Sequence, residues 1–426
     1  MNFVPPAVLT ATLLASTLAW AQLAPLDPGT RAGIGAGEAL PGLTAKESRL
    51  FDRAHVAFAA STSVSGKVAG EQARGLGPRF NHNSCAGCHA YPTAGGSSPA
   101  YNPQIDVAVL HGAHNVVPPF ITARGPVRVA RFVQKSDGTP DGGVHPLFVI
   151  SGRADAPGCN IAQPDFAAAL AANNVVFRIP TALYGLGLVE ATPDANLRTA
   201  FDAQAELKKS LGVDGRFHER HGTIARFGWK AHIATLVEFA GEALSVEHGV
   251  TNKIFPNEDE DESIAACRFQ KAPEESGSLE SSAAFTRLLA PPKTVSSDAA
   301  RRGAEVFNAV GCQTCHIAAQ TTGPSSVKAL SNVTYHPYSD FALHDMGVGL
   351  NDRVTQGNAT GREWRTTPLW GVGQRLFFLH DGQTSDLVTA ITAHASPGSE
   401  ANGVLARFDR LSRQQTADLL AFLRSL

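Results

Sequence analysis

The chain has 426 residues, 43% hydrophobic and 17% charged, with 36 basic side chains set against 38 acidic ones. That mixture suits a globular protein long enough for two or three cores and excludes a disordered or fibrous one. With no basic surplus, there is no field to draw in nucleic acid or an anionic membrane surface.

From Ala7 to Ala19 the chain is mostly apolar or small over the length of a secretory h-region, and Ala19-Trp20-Ala21 offers an A-x-A cleavage site. Residues 1–21 therefore read as a signal peptide and Gln22 as the mature start. The n-region lacks Lys and Arg, and a membrane anchor is the competing reading. No later stretch is apolar over the length of a membrane span. An exported, periplasmic protein with no stable membrane span is expected.

Two five-residue motifs follow, Cys85-Ala86-Gly87-Cys88-His89 and Cys312-Gln313-Thr314-Cys315-His316. In C-x-x-C-H the thiols form thioethers to the haem vinyl groups and the adjacent imidazole becomes an iron ligand. Two covalently attached haem c groups are implied, held by Cys85, Cys88 and His89 and by Cys312, Cys315 and His316. A zinc site built from all four cysteines competes, but each motif ends in His and the motifs lie far apart, which fits two sites better. Cys159 and Cys267 remain, and an oxidising compartment would permit a disulfide between them.

Between and beyond the motifs a short pattern recurs. Arg178-Ile179-Pro180-Thr181-Ala182-Leu183-Tyr184-Gly185 follows the first, and Arg365-Thr366-Thr367-Pro368-Leu369-Trp370-Gly371 follows the second. Trp229 then precedes Leu236-Val237 as His380 precedes Leu387-Val388. Each half runs haem motif, Arg/Pro/Gly segment, then an aromatic or His position heading an apolar helix, which reads as a duplication. In that register the place of His394 is held in the first half by Ala243, which cannot ligate iron. Glu247, one helical turn further on, could reach the open face as a general acid–base residue.

The run Glu258-Asp259-Glu260-Asp261-Glu262 is a solvated loop or a calcium site. The Pro- and Gly-bearing stretch 271–297 reads as an interdomain linker between an N-terminal haem domain over 22–270 and a C-terminal one over 298–426. In the latter, Asp298 can N-cap a helix running toward Cys312, and Ser412-Arg413-Gln414-Gln415 is a capping box for a last helix striped with Leu419, Leu420, Phe422, Leu423 and Leu426. A helix entering C-x-x-C-H and an amphipathic closing helix frame a c-type cytochrome domain. The expected fold is mainly α, two such domains with long loops.

Met1 leaves with the signal, so Met346 is the one thioether available as a sixth iron ligand; its rivals are His336, His344, His380 and His394. Leu387, Ile391 and His394 share one face of a helix expected to start near Ser385.

At these residues the sequence resembles the bacterial di-haem cytochrome c peroxidase superfamily, in the branch of di-haem oxidoreductases or predicted thiol oxidoreductases. The resemblance is carried by Phe80-Asn81, Arg226-Phe227-Gly228-Trp229-Lys230-Ala231, His344-Asp345-Met346-Gly347, Glu363-Trp364-Arg365-Thr366-Thr367-Pro368-Leu369-Trp370-Gly371, Leu379-His380-Asp381-Gly382 and Leu420-Ala421-Phe422-Leu423. It implies a peroxide-reactive N-terminal haem and a C-terminal haem where electrons enter from a small redox protein or other donor. It also implies an electron-relaying tryptophan at Trp229, a distal acid at Glu247 and a sixth ligand to the second haem at His394. Where relatives commonly have a glutamine near the peroxide site, this chain has Phe239. His111 and His114 are candidates for a distal histidine. The activity implied is reduction of hydrogen peroxide, or its use to oxidise another substrate. The competing readings are an electron carrier with both irons six-coordinate and a protein-modifying di-haem oxidase.

Overall fold

The computed structural model describes residues 26–71, 73–256, 267, 269 and 278–426. The signal segment, the acidic run 258–262 and residues 271–277 lie outside the described residues.

The first long helix, Ala45–Ala59, starts at a capping box: the Thr44 hydroxyl accepts from Glu47 N at 3.3 Å, and Thr44 N donates to the Glu47 carboxylate at 2.7 Å. Phe51, Ala54 and Phe58 fall on one face at helical spacing and are buried. They meet Ser278–Leu288, a helix inside the stretch expected to be a linker. Its Phe285 stacks on Phe58 at 4.3 Å between ring centroids. The Pro and Gly residues around this helix hid its apolar face, which buries Leu279, Ala283, Phe285 and Leu288. A third helix, Leu236–His248, packs on the same element and ends at Gly249, whose left-handed φ of 67° suits glycine.

The expectation of a mainly α fold is overturned: helix accounts for 34% and strand for 13%. The flanking helices were legible, but the segments between them are not all helix or loop. Val129–Phe132 pairs antiparallel with Val144–His145 on one side and Val175–Arg178 on the other, giving a three-stranded sheet in the N-terminal half. Runs such as Val-Ala-Arg-Phe and Val-Val-Phe-Arg put β-branched and aromatic side chains on a pleated, half-buried surface, where they pack better than on a helix. Phe120, Phe148 and Phe166 fill the core beside this sheet, and Cys159 and Cys267 join there in a disulfide, Cα–Cα 5.3 Å.

In the C-terminal third, Asp298–Val310 runs into the second motif. Its N-cap is Ser297, accepting from Ala300 N at 3.0 Å, and Asp298 is the acidic residue of the first turn. Gly311 closes the helix at φ 103°, directly before Cys312. The last helix, Arg413–Ser425, has the expected capping box and buries Leu419, Leu420, Phe422 and Leu423. The two helices cross at Gly303, where an added Cβ would overlap the carbonyl oxygen of Asp418. Among the described residues, no helix is long and apolar enough to cross a membrane.

Gly303→Ala should therefore push the crossing helices apart and lower stability by about 1–3 kcal/mol, the usual cost of overpacking. Chemical denaturation of the variant beside the parent checks this, and an unchanged midpoint would show that the crossing has slack.

Candidate functional site: two cavities joined by Trp229

Two cavities lie in the interior. The larger, about 240 Å³, is lined by Cys312, Cys315 and His316; the smaller, about 170 Å³, by Cys85, Cys88 and His89. The four motif cysteines thus sit in two separate places, which excludes a single four-cysteine zinc site. Burial pushes the Cys85 and Cys312 thiols up to about 12, with Glu247 adding to the effect at Cys85.

The motif histidines are oriented alike. His89 Nδ1 lies 3.1 Å from Gly96 O, and His316 Nδ1 lies 2.9 Å from Tyr338 O. A carbonyl can only accept, so Nδ1 carries the proton and Nε2 keeps a free lone pair. Burial holds both imidazoles down to about 4, hence neutral and able to ligate. Apolar residues supply much of the walls, such as Phe307, Leu350, Leu405 and Leu419 in the larger cavity and Phe58, Val127 and Leu183 in the smaller. A thiol pair, an adjacent oriented imidazole and an apolar slot fit a haem group in each cavity.

The larger cavity collects His344, Met346, His380 and His394, whereas His336 is exposed. His344 is committed elsewhere. Its Nε2 contacts Asp340 at 3.0 Å and its Nδ1 contacts Glu400 at 2.8 Å, so both nitrogens donate. Burial alone would lower its pKa; the neighbouring thiol and carboxylates outweigh that and raise it well above the ordinary value. An imidazolium between two carboxylates has no lone pair for iron. His380 lies flat on Trp364, ring centroids 3.8 Å apart. His394 repeats the arrangement of the motif histidines: Nδ1 is 2.8 Å from Ala390 O, leaving Nε2 free, and burial keeps the ring neutral. Its helix, Leu387–Thr392, is shorter than the expected one, with Asp386 as N-cap, and His394 follows its last turn. Met346 is buried beside Leu350 and Trp364.

The smaller cavity has a different inventory. Ala243, Glu247 and Phe239 face it from the helix Leu236–His248. Burial raises the Glu247 carboxyl to about 7, with Arg131 opposing and Glu242 reinforcing the shift. The distal-histidine candidates are elsewhere. Neither His111 nor His114 lines this cavity, and His111 Nε2 instead binds Glu71 at 2.7 Å. Besides His89, it is His82, His232 and His248 that reach it, and His232 is paired with Glu242 at 2.9 Å. Burial pushes Glu242 up, but His232, Arg131 and Arg178 together bring it below the ordinary value. Sequence reasoning missed His232, Glu242, Arg131 and Arg178. The available signal was three acidic residues on one apolar helix, Glu238, Glu242 and Glu247, an arrangement that needs buried counter-charges.

Trp229 alone among the described residues lines both cavities. Its Nε1 donates to Ile179 O at 3.0 Å, and its own carbonyl accepts from Arg365 N at 3.0 Å. Next to it, Lys230 is fully buried. Its ammonium donates to Thr360 O at 2.8 Å and Gly361 O at 3.0 Å and pairs with Asp352 at 3.2 Å, which also pairs with Arg178 at 2.7 Å. The ammonium also lies 3.6 Å from the Trp364 ring centroid, and Trp364 meets Trp229 edge-on at 6.3 Å.

This is the interior of a two-cofactor redox protein. The chain belongs to the family described as "Di-haem oxidoreductase, putative peroxidase", which matches residues 131–426. It is accordingly a di-haem oxidoreductase that takes two haem groups. A search of curated proteins found no match. Among solved structures it is similar to hydrazine synthase of Kuenenia stuttgartiensis, at 13% identity and TM-score 0.39 over 99% of this chain and 100% of that one. It is also similar to a MauG-like protein associated with microbial copper homeostasis, at 18% identity and TM-score 0.31 over 48% of this chain and 72% of that one. The diheme peroxidase BthA from Burkholderia thailandensis matches at 14% identity and TM-score 0.29, over 50% of this chain and 74% of that one. The family match, not these low-scoring likenesses, places the chain.

Lys230→Met should leave Asp352 and two carbonyls short of a buried donor and cost about 3–5 kcal/mol of stability. Denaturation of the haem-loaded variant measures it; a loss under about 1 kcal/mol would mean that Arg178 alone satisfies Asp352.

Proposed function

We propose that the protein is an exported c-type oxidoreductase that reduces hydrogen peroxide at the haem beside His89, drawing electrons through the haem beside His316. The observation that carries this reading is the asymmetry of the cavities. His394 offers a second oriented imidazole to the larger one, whereas Ala243 and Glu247 face the smaller one. Thioethers from Cys85 and Cys88, and from Cys312 and Cys315, anchor the haems. The signal at 1–21 directs the chain to the periplasm, where that attachment is made and a small redox protein can act as donor.

Haem bound beside His89 supplies the iron at which the O–O bond is cleaved, in the balance H2O2 + 2 e− + 2 H+ → 2 H2O. Glu247, as carboxylate, takes the proton from the near oxygen of the bound peroxide and returns it to the leaving oxygen, so that water rather than hydroxide departs. Arg131 offsets the negative charge that Glu247 and Glu242 place in the cavity, and Phe239 excludes water from one wall. Trp229, held by Ile179 O and by Arg365 N, relays electrons between the cavities.

The carboxylate form of Glu247 is the active one, so kcat/KM for peroxide should rise as pH climbs through about 7, the value of the buried carboxyl. Glu247→Gln should keep both haems, slow the reaction by about 10²–10⁴-fold and flatten that rise. Stopped-flow mixing with peroxide over pH 5 to 9 decides it, and a variant as fast as the parent removes Glu247 from the chemistry.

His394→Ala should convert the second haem from low-spin to high-spin in the ferric spectrum, while Met346→Leu leaves it low-spin. The reverse pattern would transfer the ligand role to Met346. Nitrogen ligation should also hold that haem's potential below that of a His/Met haem, since methionine raises it.

A further inference from the structure

Two arginines in the larger cavity have no use in the reading above. Arg365 and Arg375 line it together, and both also border the small cleft that leads past Thr181 and Phe239 to the other cavity. Neither forms an ion pair with any described residue. Arg375 makes no side-chain hydrogen bond to a described residue, and its Nε and Nη2 are buried without a partner. Arg365 bonds only to carbonyls, Gly228 O at 2.7 Å and Thr366 O at 3.3 Å. The acidic side chain in this cavity, Glu400, is engaged with His344 at 2.8 Å and with two backbone N–H groups.

Two guanidiniums buried without counter-charge are costly, because desolvation is uncompensated. Burial brings both down to about 10, with no carboxylate among the described residues near enough to oppose it. Buried charges in folded proteins are paired, and no described residue contributes the missing anion. It must enter the same cavity, carry carboxylate or similar oxygens and suit the forked donors of arginine.

We propose that Arg375 and Arg365 bind the propionate carboxylates of the haem in the larger cavity. Arg375 supplies a guanidinium that no described residue engages, and Arg365 uses the donors left over from Gly228 O and Thr366 O. Because Arg365 also holds the Gly228–Trp229 backbone, through Nε to Gly228 O and N to Trp229 O, seating the carboxylate and fixing the shared tryptophan become one event. The two cations stabilise the more electron-rich ferrous state and raise the potential of this haem.

The inference rests on the family's two haem groups and not on peroxide as substrate, so failure of the Glu247 test would leave it standing. Spectroelectrochemical titration of the haem-loaded full-length chain reads it. Arg375→Met should lower the midpoint potential of the second haem and move the first haem less, and Arg375→Lys should recover most of the shift. An unchanged second-haem midpoint in Arg375→Met, with both haems attached, overturns the proposal. Should that variant fail to fold, a structure of the haem-loaded parent decides. A guanidinium nitrogen of Arg375 within hydrogen-bond distance of a haem carboxylate supports the assignment, and an Arg375 turned away from both carboxylates refutes it.

Discussion

The hydrogen bonds from His89 Nδ1 to Gly96 O and from His316 Nδ1 to Tyr338 O set the direction of everything around them. Each fixes a ring by giving its one proton to the backbone, so the remaining lone pair points into a cavity instead of into the protein. The local chain is built to supply those carbonyls. Gly95-Gly96 turns back close beneath the first motif, where a Cβ on Gly96 would overlap the Tyr91 carbonyl. Tyr338, at a φ of 51°, presents its carbonyl beneath the second. Were either bond lost, the imidazole could rotate or change tautomer, and the cavity would lose its oriented lone pair while keeping its shape.

Between the cavities, cohesion is ionic where it is elsewhere apolar. Asp352 gathers Arg178 and Lys230, and the Lys230 ammonium sits over Trp364, which in turn stacks on His380 and meets Trp229 edge-on. Such a lattice is poor evidence for stability, because the desolvation of its charges offsets much of their attraction. Its value is geometric. A flexible aliphatic contact would let Trp229 slide between rotamers, whereas a ring wedged between hydrogen-bonded neighbours has one position. The same cations lie over Trp364 and not over Trp229. Positive charge at a ring face opposes removal of an electron from that ring, which leaves Trp229 the easier of the two tryptophans to oxidise.

What could be read in the sequence followed from how local each feature is. The haem motifs, the Ser412–Gln415 capping box and the apolar stripe of the last helix depend on neighbours within a turn or two, and each was legible. Trp229 and Glu247 were reached through the spacing of the two halves and through family resemblance, and the structure places both against the smaller cavity. His394 was placed on a helix that in fact stops at Thr392, because Ala393-His394-Ala395 has no residue that would end a helix pattern. The strands escaped notice because they are short. A two- to four-residue run such as Val144–His145 carries too little alternation to outweigh the helices on either side. His232 and Glu242 were invisible for another reason. They pair across only ten residues, but their position beside Arg131 and Arg178 brings a helix against a sheet far from it in the chain, and no local pattern encodes that meeting. The same holds for His111, a residue of the right type near the first motif that folds onto Glu71 instead.

The smaller cavity then poses a question of charge. Two carboxylates, Glu242 and Glu247, and two guanidiniums, Arg131 and Arg178, border it along with His232. Were they randomly disposed, burial would neutralise the carboxylates. Instead they are sorted. Arg178 is bound to Asp352 and to Gln356 on the far side, and Glu242 is bound to His232, so those two are fixed in charge. Arg131 anchors one nitrogen to Gly142 O at 2.6 Å and is itself held down to about 9 by burial and by Arg178. Among the described residues, that leaves Glu247 as the one carboxyl here with no cation bound directly to it, and therefore the one whose proton is loosely held near neutrality. A group that must accept a proton and return it needs both states within easy reach, and a tight ion pair would remove one of them. The pairing of Glu242 is thus what leaves Glu247 free to titrate: the surrounding charges satisfy each other and confine the exchangeable proton to a single side chain.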